Sequence, residues 1–183
     1  MRFGLHVSVS EDDYLKFNQF TMLFTAYGKE QLRKLRVTLA VFGAVFAFLI
    51  LLQNGFALTA LWGIVPIVAV VGALEWFLPR WIKFTVKTQI EDMKKKGKLA
   101  YSPEAEVEFY EDKLVEIASE SRDEVKYSAI ETVCVVRGSA IYLYMDSIRG
   151  YLLPYSSFES KEQFGELVEF LKTKIENVQA FDA

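Results

Sequence analysis

The feature that most constrains this chain is an uncharged apolar stretch of 38 residues, from Val37 to Leu74. A helix needs roughly 20 apolar residues to cross a hydrocarbon core about 30 Å thick, so the stretch suffices for two crossings. Its only polar, turn-forming cluster is Gln53-Asn54-Gly55, and Asn and Gly accept the positive φ angles of tight turns. We therefore predict a transmembrane helical hairpin over 35–78, with helices at about 35–52 and 56–78 and a turn at 53–55.

Two other interpretations of this stretch fit less well. A secretory signal peptide carries an apolar region of roughly 7–15 residues, whereas this stretch is far longer and follows a segment rich in charge. A buried hairpin of a soluble protein would need a large surrounding core. The rest of the chain is too short and too acidic to supply one.

The charges around the stretch predict its orientation. Net charge is +3 over residues 29–36 and +4 over residues 75–98, while the predicted turn carries none. Cytoplasmic loops of membrane proteins carry an excess of Lys and Arg, so we expect both termini in the cytoplasm. The predicted anchors at the membrane interfaces are Trp62, Trp76, Trp81, Arg33, Lys34, Arg36, Arg80 and Lys83.

The segments on either side of the hairpin have patterns of their own. Within 1–34, residues Arg2 to Val9 alternate as a strand, and Ser10 followed by three acidic residues predicts a capped helix start. The aromatic residues that follow predict a helix buried against the membrane surface or the C-terminal region. Segment 79–98 predicts a basic juxtamembrane helix suited to anionic headgroups. Its place beside a transmembrane helix favours lipid over nucleic acid.

The C-terminal segment, 99–183, changes to short alternating strands and carries a net charge of −9. Ser160 predicts the N-cap of a closing amphipathic helix with one apolar face. Six short antiparallel strands and a packing helix form a β roll or sandwich, and a pleckstrin-homology-like arrangement fits this order best. The predicted fold class is thus an α+β membrane protein. The predicted strands are Glu106–Tyr110, Lys113–Ser119, Glu124–Tyr127, Ile130–Arg137, Ala140–Met145 and Tyr151–Pro154. The predicted turns are Glu111-Asp112, Arg137–Ser139 and Ser147–Gly150. The predicted apolar face of the helix consists of Phe164, Leu167, Val168, Leu171 and Ile175.

A set of short motifs accompanies this layout. Glu11-Asp12-Asp13-Tyr14 follows the first strand, and the C-terminal series reads Val107-Glu108-Phe109, Tyr127-Ser128-Ala129-Ile130, Ile141-Tyr142-Leu143-Tyr144 and Leu152-Leu153-Pro154. With the paired apolar helices, the chain resembles the YcxB-like family of small bacterial membrane proteins over nearly its full length. The resemblance implies a bacterial inner (cytoplasmic) membrane location and a cytoplasmic pleckstrin-homology-like domain. It implies no established activity and no catalytic residues.

The residue inventory argues against an enzyme. The chain has one histidine, His6, and one cysteine, Cys134, and it lacks a phosphate-binding glycine loop. The acidic residues Glu104, Glu106 and Glu108 recur at period two, which is typical of a solvated strand face. A lipid-reading domain would need clustered Lys and Arg, whereas this segment is acidic. We expect no catalytic residue, no cofactor, no metal site and no nucleic-acid partner.

A protein-binding surface is the remaining candidate site. Aromatic and arginine side chains are enriched at interfaces, and the candidate residues are Arg137, Tyr142, Tyr144, Arg149 and Tyr151. The alternative is that these tyrosines only cover the outer face of a sheet. We therefore expect an inner-membrane-anchored protein that displays a protein-binding or regulatory domain. The sequence does not identify its partner, and a homo-oligomer is possible. The alternative functions are an accessory subunit of a membrane transport or stress-response complex, or a lipid-binding module.

Overall fold

The computed structural model describes residues 2–54, 61–96, 101–119, 121–146 and 149–182. The chain divides into two compact units, one formed by Gln19–Thr88 and one formed by Met1–Asn18 together with Gln89–Ala183. Two long apolar helices lie toward the N-terminus, and two β-sheets lie in the C-terminal part. The predicted α+β class is confirmed at that level.

The described part of the chain contains four helices and eight strands. Short 3-10 turns at Tyr127–Ala129 and Tyr155–Ser157 link strands to the next elements. In chain order the elements are β1 (Phe3–Ser8), α1 (Glu11–Phe24), α2 (Ala26–Gln53), α3 (Leu61–Lys95), β2 (Glu104–Phe109), β3 (Lys113–Ala118), β4 (Arg122–Lys126), β5 (Thr132–Val136), β6 (Ala140–Tyr144), β7 (Gly150–Pro154), α4 (Lys161–Lys174) and β8 (Val178–Phe181).

The first sheet joins the N-terminal strand to the C-terminal region. Its order is β1-β2-β3-β4, and all neighbours are antiparallel. Ser8 pairs with Glu104, although the whole apolar stretch lies between them in sequence. The predicted turn at Glu111-Asp112 is confirmed, because the Tyr110 N–H donates to the Lys113 carbonyl at 2.8 Å. The structure thus groups Met1–Asn18 with the C-terminal strands, where the sequence divided the chain at residue 34.

The second sheet has the order β7-β6-β5-β8. Strands β5, β6 and β7 form an antiparallel meander, and Gly138 takes the positive φ of 69° at the predicted turn between β5 and β6. Strand β8 was not predicted; it runs parallel to β5, with Val178 opposite Val133. Four residues are too few for a period-two pattern to stand out. Of the turn predicted at Ser147–Gly150, residues 147 and 148 lie outside the described residues.

A single apolar core fills the space between the sheets and α4. Leu114 of β3, Leu143 of β6 and Leu167 of α4 are completely buried in it. Helix α4 begins as predicted, since the Ser160 hydroxyl accepts a hydrogen bond from the Gln163 N–H at 3.2 Å. Phe170 is buried as well, so the apolar face is wider than the predicted spacing indicated.

The start of α1 is capped as the sequence predicts. The Asp13 N–H donates to Ser10 Oγ at 3.1 Å, and the Ser10 N–H donates back to Asp13 Oδ2 at 3.1 Å. This reciprocal pair satisfies two backbone donors at the helix end, where the acidic residues also face the positive end of the dipole. The N-terminal helix is therefore specified locally.

The apolar unit, Gln19–Thr88, consists of the end of α1, all of α2 and α3 as far as Thr88. Helix α2 begins at Ala26 rather than near residue 35, because Thr25 caps it and accepts from the Gly28 N–H at 3.1 Å. Helix α3 runs without a break to Lys95, so the predicted juxtamembrane helix at 79–98 is a continuation of the second apolar helix. The predicted turn at Gln53-Asn54-Gly55 is described only to Asn54, and the predicted start of helix two at residue 56 lies outside the described residues.

Candidate membrane anchor and acidic cleft

The two long helices leave their apolar side chains uncovered. In the most apolar part of α2 no residue is buried inside the chain, and in Leu61–Leu78 of α3 only 6% of residues are buried. Both helices are long and apolar enough to cross a membrane. A core hairpin of a soluble protein would be mostly buried, whereas these two apolar segments are not. The structure itself contains no membrane.

Glycines set the contact between α2 and α3. A β-carbon at Gly43 would lie 3.2 Å from Val71 Cγ2, and one at Gly63 would lie 3.1 Å from Ile50 Cγ2. Small residues let helices approach closely. Gly72 has no atom within 4 Å of the corresponding position and so does not contribute to the contact. Of the small residues on the second helix, Gly63 therefore packs against α2, whereas Gly72 lies on an open face.

The predicted anchor residues lie at the two ends of the apolar segments. Arg36 Nε lies 3.1 Å from Glu75 Oε2, which joins the two helices at one end of the hairpin. The Arg80 guanidinium lies 4.6 Å from the centroid of the Trp76 ring, a cation–π contact. Trp62, Trp76 and Trp81 are all more than half exposed. The remaining predicted anchors are Arg33 and Lys34 in α2, where Lys34 pairs with Glu30 at 2.9 Å, and Lys83 in α3.

Two of the three tyrosines of the predicted partner surface are buried. Tyr142 and Tyr144 are 2% and 4% exposed, because Phe17 of α1 covers them. The Phe17 ring centroid lies 5.3 Å from that of Tyr142 and 5.6 Å from that of Tyr144. In β6 these tyrosines alternate with the core residues Ile141 and Leu143, so they lie on the outer face of the sheet. Sequence periodicity placed them on that face, but it could not show that an N-terminal helix packs over it.

The other three predicted partner residues, Arg137, Arg149 and Tyr151, lie in two different parts of the domain. Arg137 pairs with Asp182 at 3.2 Å near the end of β8. Arg149 and Tyr151 instead line a cleft of about 430 Å³ at the open side of the sandwich. Strands β1, β2, β3 and β7 and helix α1 all contribute to this cleft. The structure therefore brings only Arg149 and Tyr151 together.

Two carboxylates occupy the inner wall of this cleft. Strand register places Leu5, Val107, Glu116 and Asp123 in one row across the first sheet. Residues directly opposite one another share a face, and Leu5 and Val107 are buried in the core. Glu116 and Asp123 therefore continue an inward-facing apolar row with two acidic side chains, whose β-carbons lie about 4.5–5.5 Å apart in such pairs.

The cleft raises the pKa of Glu116 and of Tyr151. Burial, and then the charge of Asp123, raises the pKa of the Glu116 carboxyl above its usual range. Burial also raises the pKa of Tyr151 to about 12, with Glu116 and Asp123 adding to the shift. Among the described residues, neither Glu116 nor Asp123 has an ion-pair or hydrogen-bond partner on its side chain. Glu116 is thus a partly buried carboxyl beside Asp123, which is exposed on the edge strand β4.

Aromatic side chains also line the cleft. Tyr14 and Tyr101 stack with their ring centroids 4.4 Å apart, and Phe17 lies 6.3 Å from Tyr14. Both Tyr14 and Phe17 come from α1, and Tyr101 precedes β2. Arg149 also lines the cleft, but its Nε donates to Asp146 Oδ2 at 2.7 Å. Acidic and aromatic side chains therefore line the same cavity.

Other chemistry is sparse in the described part of the chain. Cys134 is buried, and burial raises the pKa of its thiol to about 11, so it stays protonated at neutral pH. Among the described residues, no group of three or more His, Cys, Asp or Glu side chains is placed to hold a metal ion. Glu104, Glu106 and Glu108 lie on the less buried face of β2, as their spacing predicts.

Sequence reasoning missed the acidic cleft, although a signal for it was present. Strand β3 alternates so that Leu114, Glu116 and Ala118 share a face, and Leu114 belongs to the core. A charge at an inward position of an otherwise apolar face is the signal. The register that sets Asp123 beside Glu116 does not follow from the pattern of either strand alone.

The fold and these surfaces together define a small α+β domain attached to an exposed apolar two-helix hairpin. Residues 109–171 match the family described as YcxB-like protein. The match runs from the end of β2 into α4, so this chain carries a YcxB-like domain, as its motifs indicated. No curated protein and no solved structure matches the chain.

Proposed function

We propose that α2 and the apolar part of α3 span the bacterial cytoplasmic membrane and hold a cytoplasmic binding domain at its inner face. The observation that carries this proposal is that no residue in the most apolar part of α2 is buried inside the chain. Leaving so many valine, leucine and phenylalanine side chains in water costs about 25 cal/mol per Å² of apolar surface. Insertion into lipid removes that cost, and the helical backbone satisfies its own hydrogen bonds there.

The spacing of the anchors supports a crossing. Trp62 and Trp81 are 19 positions apart on α3, which is about 28 Å at a rise of 1.5 Å per residue. This length matches a hydrocarbon core about 30 Å thick, with one indole at each interface. The positive residues cluster beside Trp81, and the described end of α2 at Gln53-Asn54 carries no charge. Both features favour cytoplasmic termini.

The domain formed by Met1–Asn18 and Gln89–Ala183 is proposed to have a pleckstrin-homology-like arrangement. Two supporting features are its four-stranded antiparallel sheet and the antiparallel meander of β5, β6 and β7. A third is helix α4, which packs on the core after the last meander strand. We propose that the domain binds or regulates a protein partner, because an open cleft with aromatic side chains and a few polar groups is typical of a recognition site.

Cysteine labelling in spheroplasts tests the topology. Asn54→Cys should react with a membrane-impermeant maleimide in intact spheroplasts, whereas Glu131→Cys should react only after permeabilisation. Cys134 can stay, since its burial and raised thiol pKa keep it unreactive. The unsubstituted chain serves as the background control. Labelling of Glu131→Cys from outside, or recovery of the protein in the soluble fraction, would overturn the proposal.

A further inference from the structure

Helix α3 has one side that packs on α2 and another side that is open. The contacts with α2 recur every four residues along α3, which is the spacing of one helix face. On the other side, a β-carbon at Gly72 would meet no neighbour within 4 Å in the described part of the chain. The residues of α3 that contact α2 are Gly63, Ile67, Val71 and Glu75. The exposed residues on the open side are Trp62, Val65, Ala69, Gly72 and Trp76.

The open side of α3 changes from apolar to basic after Trp76. Arg80, Lys83 and Lys87 follow at four, seven and eleven positions beyond Trp76, a spacing that keeps these positions on the same side of a helix. No acidic residue occurs from 76 to 90, so this segment carries a charge of +3. Arg80 and Lys87 are exposed, and neither belongs to an ion pair among the described residues. The open side of α3 is therefore an apolar surface that ends at three basic positions.

Trp76 and Arg80 mark the boundary between the apolar and the basic part of this side. The Arg80 guanidinium lies 4.6 Å from the centroid of the Trp76 ring, and Trp76 is 65% exposed. Indole rings and cations are enriched where acyl chains give way to headgroups. Gly72 precedes Trp81 by nine positions, about 14 Å along the helix, which is close to half of a hydrocarbon core about 30 Å thick. In the proposed topology, the apolar part therefore lies alongside the acyl chains of the cytoplasmic leaflet.

The charges indicate what covers this side of α3. A second copy of the chain would cross the membrane in the same orientation, so a two-fold contact through this side would bring Arg80 and Lys87 close to their own copies. Like charges repel, and this disfavours such a dimer. A zwitterionic headgroup has no net charge to offer the basic part. An anionic phospholipid matches both parts, because its acyl chain is apolar and its headgroup attracts Lys and Arg at the membrane surface.

We propose that the open side of α3 binds an anionic phospholipid of the cytoplasmic leaflet in preference to a zwitterionic one. Its headgroup lies at Arg80, Lys83 and Lys87, and its acyl chain lies along Gly72 and Trp76. This proposal rests on the membrane topology proposed above, to which it adds the class of lipid and the surface that selects it. All of these residues belong to the unit Gln19–Thr88, so the site is complete within the hairpin.

Quenching of tryptophan fluorescence by brominated lipids tests this assignment on the full chain. All three tryptophans lie on α3, so Trp62→Phe/Trp81→Phe leaves Trp76 as the only reporter, and both replaced side chains are exposed. The bilayers always contain equal parts of phosphatidylglycerol and phosphatidylethanolamine, and bromine is placed on the acyl chains of one lipid or of the other. Surface charge is thus constant. We expect a preference for phosphatidylglycerol of about five-fold or more at Trp76, the ratio that about 1 kcal/mol supplies. The preference should shrink as salt is added.

Variants assign the preference to the basic part of α3. Lys83→Gln/Lys87→Gln should lower it to about two-fold or less, since each cation near the surface contributes to the attraction. This variant keeps Arg80 beside Trp76, so the surroundings of the reporter are unchanged. Lys29→Gln/Lys126→Gln is the matched control, because it removes two exposed lysines that lie outside α3 and should keep the preference.

The possible outcomes separate this proposal from the membrane anchor. Equal quenching by the two labels, a preference that persists in Lys83→Gln/Lys87→Gln, or an equal loss in the control would overturn lipid selection and leave the anchor intact. Quenching by both labels that rises as the protein is diluted with lipid would show that a second copy covers this side, which also overturns it. No quenching at any dilution would mean that Trp76 does not meet lipid, and the anchor would be overturned as well.

Discussion

The ring of Phe17 stacks on the ring of Tyr144, with their centroids 5.6 Å apart and their planes 18° from parallel. The N-terminal helix thereby covers the outer face of a sheet that begins more than a hundred residues later in the chain. Phe17 is only 6% exposed. This contact makes the first part of α1 a structural part of the C-terminal domain.

Replacing Phe17 should therefore destabilise the domain. We expect Phe17→Ala to cost about 3–5 kcal/mol, the range for removal of a buried phenylalanine. Native-state hydrogen exchange of the β6 amides in the full chain measures the effect. Phe24→Ala is the control, since Phe24 on the same helix is 47% exposed and should cost much less. Equal losses of β6 protection in the two variants would contradict the assignment.

The contact between α2 and α3 makes a second prediction. Gly43→Val should destabilise the hairpin by about 1–3 kcal/mol, because its side chain collides with Val71. Gly72→Val places the same side chain in open space and should be tolerated. Thermal unfolding of the helical circular-dichroism signal in detergent compares the two variants. A larger loss at Gly72 than at Gly43 would show that the open face of α3 is covered by another molecule.

The junction between α1 and α2 depends on a glycine. A β-carbon at Gly28 would lie 2.3 Å from both the Thr21 and the Met22 carbonyl oxygens, and backbone atoms cannot move aside as a side chain does. Gly28→Ala should therefore open the junction and lower the yield of folded protein. Gly165→Ala, in open space on α4, should instead stabilise its helix by about 1 kcal/mol. Limited proteolysis near Thr25 distinguishes the two variants, because we expect faster cleavage than in the parent chain only for Gly28→Ala.

The acidic cleft predicts a dependence of stability on pH. The pKa of Glu116 is raised in the fold, so the folded state holds its proton at pH values where the unfolded chain has lost it. Stability then falls as the pH rises from the unfolded pKa toward the folded pKa, and the cost persists at neutral pH. Glu116→Gln should raise the free energy of unfolding at pH 7 by about 0.2–1 kcal/mol, the range for cross-strand pairs. Asp123 on β4 and Tyr151 on β7 are the titratable groups close to Glu116, and Arg149 lines the same cleft.

Denaturant unfolding at pH 4 and pH 7 measures this difference. The gain from Glu116→Gln should shrink at pH 4, where the parent carboxyl is protonated. Glu131→Gln should change neither value. A gain that is the same at both pH values would mean that packing, rather than charge, separates the variant from its parent.

Local signals predicted local structure well. Ser10 and Ser160 each precede a helix and cap it with a hydrogen bond of the expected kind, and Glu111-Asp112 forms the expected turn. These features depend on side chains within four residues of the backbone that they bind. The apolar length of α2 and α3 is equally local, and it predicted both helices.

The features that the sequence did not predict depend on contacts between residues that are distant in the chain. Tyr142 and Tyr144 lie on the predicted sheet, but their burial depends on Phe17, which is distant in sequence. The pairing of Glu116 with Asp123 requires the register of β3 on β4, and β8 requires a parallel partner on the far side of α4. Periodicity within one element carries no information about which other element covers it.

Because Ser8 pairs with Glu104, the chain between them can cross a membrane only an even number of times. A polypeptide that leaves one side of a bilayer after β1 and lies beside β1 again in β2 has crossed an even number of times. One crossing or three would leave the two strands in different aqueous compartments, where they could not form hydrogen bonds. In the proposed topology, a substitution that stops one of the two helices from inserting would therefore separate β1 from β2, and the domain would misfold.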